Sequence, residues 1–216
     1  MATKKTAAED SMLNIVIPEI ELNTLTVKIV GDSPLIVHAW SEKAKKMMLD
    51  KQMKKATKGR EAKDPERDFF DSLYWLTERP EKPTMEDIQR ARFGFPTIAI
   101  KACAIDAGYQ QGLIPKKTTA RGAFRILGEY AEIDGLPTPR EDMCMVGGMS
   151  KVADIRYRGE FKKWSITLTI QYNPNVISAE QICALLNIGG FSCGIGEWRV
   201  GRNGNYGCFH VARNGE

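Results

Sequence analysis

The sequence lacks any apolar run that approaches the ~20 residues with which a helix crosses a bilayer. Its first residues, from Met1 to Asp10, contain no apolar stretch of the kind that marks a secretory signal. Cysteine is scarce, with five copies in 216 residues and no C-x-x-C pair. We therefore expect no membrane association, free thiols, and a cytoplasmic location in a bacterium or a phage-infected cell.

Signatures of common enzyme classes are also missing. There is no Walker Gly-Lys-Ser/Thr, nucleophile elbow or zinc motif. The best zinc candidate is a loosely spaced group of three residues, Cys193, Cys208 and His210, whereas a structural zinc site takes four clustered ligands. The two histidines lie in strand-like surroundings, which favours hydrogen-bonded structural roles. We predict no enzyme activity, no catalytic residue, no cofactor and no metal. A metal-independent endoribonuclease built on His38 and Lys101 is the least favoured alternative.

Positive charge is concentrated in one part of the chain. The segment from Ser41 to Arg67 holds ten basic and five acidic residues, whereas the whole chain carries a net charge of only +4. A local basic element on a nearly neutral body indicates a polyanion as partner. The alternative is an ordinary solvated helix face.

Hydrophobic periodicity and capping residues predict a sequence of helices and strands. Leu25, Val27 and Ile29 alternate with polar residues, as in a half-buried strand. The further predicted elements are a strand near Leu35 to Ala39, helices from Ser41 to Ala56, from Asp64, from Thr84 to Arg92, from Thr97 to Gln110 and from Lys116 to Leu127, strands from Val152 to Phe161 and from Lys163 to Tyr172, a helix from Ser178, and a strand near Cys208 to Val211.

The order of these elements predicts the fold. Without residues 41–92, the chain reads strand, helix, strand, strand, helix, strand, which is the order of an α+β ferredoxin-like, or RRM-like, antiparallel sheet. The hairpin from Val152 to Tyr172 is expected at the centre of that sheet, and residues 135–139 are expected to form a loop. We predict one domain over residues 1–216 with a basic helical insertion at 41–92.

Residues 194–207 contain glycine, arginine and aromatic residues in close succession. Glycine lets the backbone approach a ligand, and exposed amides can hold a phosphate. Arg199 and Arg202 add charge, while Trp198 and Tyr206 offer stacking surfaces, a combination typical of single-strand binding. A plain connecting loop with a turn at Asn203 is the alternative.

The order of elements together with this loop resembles the repeat-associated mysterious protein (RAMP) superfamily, the RNA-binding backbone subunits of CRISPR effector complexes. The matching parts are the opening strand with Ser33-Pro34-Leu35, the segment from Phe95 to Lys101, and the loop Gly194-x-Gly196 to Gly204-x-x-Gly207. The resemblance implies an RRM-like sheet and copies that polymerise along a guide strand. It leaves open guide RNA or single-stranded DNA, as for a phage recombination or annealing protein.

We therefore predict a non-enzymatic protein that binds single-stranded nucleic acid and assembles as a homo-oligomer or filament along the strand. The alternative is a phage or mobile-element structural protein whose basic helix contacts neighbouring subunits. The residues predicted to contact nucleic acid are Lys43, Lys46, Lys54, Lys55, Lys58, Arg60, Lys116, Lys117, Arg121, Arg156, Arg158, Trp198, Arg199, Arg202 and Tyr206.

Overall fold

The computed structural model describes residues 19–55, 62–146 and 152–213. The strands are β1 (Asn23–Gly31), β2 (Leu35–Val37), β3 (Phe93–Pro96), β4 (Phe124–Ile126), β5 (Tyr130–Asp134), β6 (Pro137–Val146), β7 (Val152–Phe161), β8 (Ser165–Tyr172) and β9 (Phe209–Val211). The α-helices are α1 (Glu42–Gln52), α2 (Pro65–Asp71), α3 (Met85–Ile88), α4 (Thr97–Gln110), α5 (Lys117–Ala123) and α6 (Ala179–Ser192).

The main sheet has the strand order of a ferredoxin-like fold. It runs β3-β5-β8-β1-β9, and β4 pairs with β8 next to β5, so β4 and β5 together serve as the second strand of the motif. The central strands β1 and β8 are antiparallel, from Asn23 opposite Tyr172 to Val30 opposite Ser165. The helices α4 and α6 pack on each other and are the two crossovers of the motif. The predicted fold class is confirmed.

Alternation along β8 separates two faces of the main sheet. Ile166, Leu168 and Ile170 are buried, whereas Thr167 and Thr169 between them are exposed. The buried side chains join the hydrophobic core. Because successive side chains of a strand point to opposite faces, one face packs on the helices and the other stays polar.

A second sheet corrects the predicted hairpin. Strand β7 pairs with β6 from Pro137 opposite Phe161 to Val146 opposite Val152, and with β2, in the order β2-β7-β6. Strand β8 instead lies in the main sheet. The hairpin from Val152 to Tyr172 is therefore wrong, because alternation buries one face of a strand without specifying its partner.

Two further predictions change between residues 116 and 146. The helix ends at Ala123, and Phe124 and Ile126 are buried on either side of exposed Arg125, which is strand alternation. The predicted loop at 135–139 includes the first residues of β6. Its prolines, Pro137 and Pro139, are tolerated because β6 is an edge strand.

The described part of the predicted insertion contains three helices with unequal burial. Ser41 caps α1, where its side chain accepts from the amide of Ala44 at 3.2 Å, but no residue of α1 is buried. Phe69 and Phe70 of α2 belong to the core. Helix α1 ends at Gln52 and α3 at Ile88, both earlier than predicted. Within the described ranges, no helix has the length and apolarity to span a membrane.

Candidate functional site

A cleft of about 310 Å³ lies between α4 and the chain that follows α6. We call it the central cleft. It is lined by His38, Tyr74, Phe95, Ala99, Ala102, Cys103, Asp106, residues 193–197 and Arg199. It thus brings together the end of β2, one face of α4 and the start of residues 194–207, which we call the glycine-rich loop.

The glycine-rich loop is held by its own backbone amides. The amide of Glu197 donates to the carbonyl of Ile36 at 2.9 Å, and that of Gly207 donates to Pro34 at 2.8 Å. Within the loop, the amide of Tyr206 donates to Trp198 at 3.1 Å. These three amides are occupied, so they do not contribute to the phosphate cradle expected from the sequence.

Close packing explains why glycine recurs in the loop. A Cβ on Gly207, whose φ is +68°, would lie 1.8 Å from the carbonyl oxygen of Ile195. A Cβ on Gly204 would lie 1.7 Å from the carbonyl oxygen of Trp198. The loop is therefore a tightly packed support for the side chains that it presents to solvent.

Trp198 is the most prominent of those side chains. It is 38% exposed, and it does not belong to the hydrophobic core. Its φ of +51° lies in the left-handed region, which costs a residue other than glycine about 1–3 kcal/mol. The surrounding hydrogen bonds hold an aromatic ring at the surface in a backbone conformation that it would not adopt alone.

Arg158 of β7 is the clearest correction among the predicted contacts. It is 7% exposed, and its guanidinium lies 3.3 Å from a carboxylate oxygen of Asp142 and 3.9 Å from one of Glu197. A buried arginine with two carboxylate neighbours holds the second sheet against the loop. Arg158 is therefore not available for contact with a phosphate.

Tyr206 is also engaged within the fold. The guanidinium of Arg140 lies 4.6 Å from the Tyr206 ring centroid and donates to its hydroxyl at 3.2 Å. Arg140 itself pairs with Asp142 at 2.9 Å and Glu160 at 2.7 Å. One ring face of Tyr206 is consequently covered, and the residue is a weaker stacking candidate than Trp198.

His38 and Glu197 join the two sides of the cleft mouth. Their side chains are 3.5 Å apart. The pKa of Glu197 is lowered by its hydrogen bond with His38 and by the charges of Arg158 and Arg199, against the opposing effect of burial. Tyr74 donates to the His38 carbonyl at 3.3 Å, and burial raises its pKa.

The structure does not bring His38 and Lys101 together. Lys101 donates to the carbonyl of Arg121 at 2.7 Å and lies over the ring of Phe124, whereas His38 lines the central cleft. Within the described residues, the two side chains considered for a ribonuclease therefore have separate surroundings and do not form a pair.

The basic helix begins beside the cleft mouth. Trp40 follows His38 by two residues, precedes the cap of α1, and is 59% exposed, with the ammonium of Lys45 5.8 Å from its ring centroid. The predicted contacts Lys46, Lys54 and Lys55 are exposed, and Lys55 pairs with Asp50 at 3.3 Å. Lys43 is half-buried on α1, Lys54 and Lys55 follow the end of that helix, and Lys58 and Arg60 lie outside the described residues.

The remaining predicted contacts fall into three places. Lys117 pairs with Asp106 at 2.7 Å, and Asp106 lines the cleft. Lys116 directly precedes α5, and Arg121 lies in the last turn of that helix. Arg156 pairs with Asp154 on β7 at 2.9 Å. Arg199 lines the cleft and donates to Gly196 at 3.0 Å, while Arg202 is exposed on the glycine-rich loop.

Sequence reasoning missed the aromatic side chains on the β2 side of the cleft. Trp40 and Tyr74 were not among the predicted contacts, although Trp40 lies directly before the cap that opens the basic helix. An aromatic residue next to a helix cap in a basic segment is the signal that could have found it.

The open face of the main sheet carries no stacking residues on its central strands. On β1, β4 and β8, all of whose residues the structure describes, this face presents Thr24, Thr26, Lys28, Val30, Arg125, Ser165, Thr167, Thr169 and Gln171. RRM sheets bind RNA through aromatic side chains at such positions. The central strands therefore offer no such stacking surface, and we take the cleft mouth as the candidate site.

Comparisons with known proteins give likeness to solved structures only. No family model and no curated protein matches the sequence. Among solved structures, the chain is similar to the crystal structure of Cmr6 from Pyrococcus furiosus, at 10% identity and a TM-score of 0.43, over 90% of this chain and 100% of that chain. At this identity and score the likeness carries no weight for function, and the RAMP resemblance stays a prediction.

Proposed function

We propose that the chain binds single-stranded nucleic acid along the mouth of the central cleft, without cleaving it. The observation that carries the proposal is the contact between His38 and Glu197, because it joins the segment of Trp40 and α1 to the glycine-rich loop with Trp198. Exposed aromatic rings and basic side chains thus border one cleft.

The chemistry of this border suits an unpaired strand. Bases of any sequence can stack on Trp40 and Trp198, while the lysines of α1 and Arg202 attract phosphates. Half-buried Arg140 of β6 and buried Arg158 of β7 are paired with carboxylates and contribute little net charge. The exposed cations of α1 and the loop therefore supply the attraction.

The RAMP resemblance favours a guide RNA as the strand, and single-stranded DNA in a phage recombination or annealing reaction is the other source. One cleft offers a short path, so we propose that neighbouring copies share a strand and gain affinity from multivalency. Mass photometry with oligonucleotides of increasing length is expected to show complexes that grow with the strand. A single copy on every length would contradict this assembly.

Charge reversal on α1 and on the turn that follows it tests the binding itself. Lys46→Glu, Lys54→Glu and Lys55→Glu together are expected to weaken binding of a 30-nucleotide strand at least ~10-fold, equally for all base sequences, because phosphate contacts carry no sequence information. The slope of log affinity against log salt is expected to fall by about 2, since each single-strand phosphate contact contributes about 0.7. Fluorescence anisotropy across a salt series measures both quantities.

A control with the same change in net charge separates local contact from bulk charge. Lys82, Lys162 and Lys163 are exposed away from α1, in the chain before α3 and in the turn between β7 and β8. Their reversal to glutamate is expected to leave the salt slope close to that of the wild type. Equal losses in the two triple variants would rule out α1 as the binding element.

Substitutions of Trp198 test the stacking surface. Trp198→Leu is expected to weaken binding about 5- to 150-fold, because stacking on an aromatic side chain is worth roughly 1–3 kcal/mol per base. Trp198→Phe retains a ring and is expected to bind within a few-fold of the wild type. Both melting temperatures should stay near that of the wild type, since Trp198 lies outside the core. Normal binding with a much lower melting temperature would assign Trp198 a purely structural role.

A second candidate function is a phage or mobile-element structural protein in which α1 contacts a neighbouring subunit. The exposed apolar residues of α1 and its C-cap favour it: Met47, Met48, Leu49 and the capping Met53 are each more than half exposed. A protein contact of this kind would persist at high salt, whereas nucleic-acid binding would weaken steeply. The salt series described above therefore distinguishes the two functions.

A further inference from the structure

Two cysteines meet in the central cleft. Cys103 lies on α4, and Cys193 directly follows α6, so the crossing of the two helices brings their side chains together. Both residues line the cleft, and each thiol shifts the pKa of the other. Cys103 is only 4% exposed, whereas Cys193 is partly accessible.

The surroundings of the two thiols are different. The hydrogen bond from Cys103 and the nearby Arg199 guanidinium lower the pKa of Cys193, against burial and the carboxylate of Asp106. The same hydrogen bond, together with burial, raises the pKa of Cys103. One sulfur is thus favoured as a thiolate and the other as a thiol, the arrangement of an attacking and a resolving cysteine.

The backbone holds Cys193 in place. Its amide donates to Gly189 at 3.0 Å, and its carbonyl accepts from Gly201 at 2.8 Å. Gly189 of α6 faces α4: a Cβ on it would lie 3.0 Å from Cα of Ala104 and 3.2 Å from Sγ of Cys103. The absence of a side chain at Gly189 therefore lets α4 and α6 approach closely at the level of the two thiols.

We propose that Cys193 and Cys103 form a redox-active pair that reacts with hydrogen peroxide in the central cleft and closes to a disulfide. The Cys193 thiolate attacks one peroxide oxygen, an S–O bond forms, the O–O bond breaks, and the departing hydroxide takes a proton to become water. Cys103 then attacks the Cys193 sulfur, the S–S bond forms, the S–O bond breaks, and the hydroxyl leaves as water with the Cys103 proton. The peroxide gains the two electrons that the thiols lose, and a dithiol reverses the reaction by exchange.

The disulfide would change the cleft in two ways. It would tie α4 covalently to the chain that enters the glycine-rich loop. It would also remove the thiolate beside Arg199, so that this guanidinium would face one negative charge fewer. Neither change depends on the proposed nucleic-acid binding, so the pair can be tested without a ligand.

The test is made on the full chain, oxidised with hydrogen peroxide at pH 7. Free thiols are then blocked with N-ethylmaleimide, and the digested protein is analysed by mass spectrometry. We expect a loss of two of the five thiols, recovered as one peptide pair that joins Cys103 to Cys193, with reversal by dithiothreitol. Mixed pairings, or loss of Cys208 and Cys183 as fast as of Cys193, would overturn the proposal.

Variants assign the two roles. Cys103→Ser is expected to stop the reaction at a sulfenic acid on Cys193 that dimedone captures, whereas Cys193→Ser is expected to abolish both products. Cys208→Ser is the matched control and should form the disulfide as the wild type does. In the wild type, the alkylation rate of Cys193 should level off at a lower pH than in the urea-unfolded chain, and Arg199→Gln should move that profile upward. A profile unchanged by unfolding would contradict the proposal independently of any variant.

Discussion

Gly190→Ala is expected to lower the free energy of unfolding by about 3 kcal/mol or more, because overpacking against a rigid neighbour displaces backbone. A Cβ on Gly190 would lie 1.8 Å from the carbonyl oxygen of Phe209 and 2.9 Å from its ring. Gly190 lies in α6 and Phe209 in β9, so the substitution would force the second crossover helix away from the edge strand. Urea unfolding followed by circular dichroism measures the loss.

Gly122→Ala is the matched control for this prediction. Gly122 is also helical, but nothing lies within 4 Å of the Cβ position. Alanine is favoured over glycine in a helix by roughly 0.5–1 kcal/mol, so this variant should be slightly more stable than the wild type. A Gly190→Ala protein as stable as Gly122→Ala would refute the close contact between α6 and β9.

Arg158→Ala is expected to cost about 2–3 kcal/mol of unfolding free energy. Removing one member of a buried ion pair typically costs about 3–5 kcal/mol, because the other charge is left unpaired. Here Arg140 still lies 2.9 Å from Asp142, so the loss should fall below that range. Urea unfolding at low and high salt checks the size of the effect and its resistance to screening.

Arg156→Ala is the control that separates the effect of losing a buried arginine from the effect of losing a positive charge on the unfolding free energy. Arg156 lies two residues away on the same strand, with a side chain 41% exposed, and pairs with Asp154. An exposed pair of this kind contributes about 0–1 kcal/mol. Equal losses in the two variants would mean that Arg158 does not form a buried network with Asp142.

Local chemistry made much of the fold predictable from sequence. The capping residues Ser41, Asp64 and Ser178 each begin a helix, and the alternation of β1 and β8 places their apolar residues in the core. The division into two sheets was not predictable. The patterns of β7 and β8 are equally regular, and only their long-range partners show that they belong to different sheets.

The candidate site was likewise predictable from sequence only in part. Trp198 and Arg199 could be named because glycine, arginine and aromatic residues stand together in the sequence. Arg158 could not be told from a surface arginine, because its carboxylate partners lie at positions 142 and 197, far away along the chain. Whether an arginine is free or paired is a property of the folded chain.

The pairing of β1 with β8 also has a consequence during synthesis. Strand β1 ends at Gly31, but its central partner begins at Ser165 and its edge partner at Phe209. At the ribosome's rate of about 5–20 residues per second, β1 waits on the order of ten seconds for β8 to be made. Throughout that interval a nascent strand with Val27 and Ile29 has neither neighbour, so we expect newly made chains to depend on chaperones until the last part of the chain has left the ribosome.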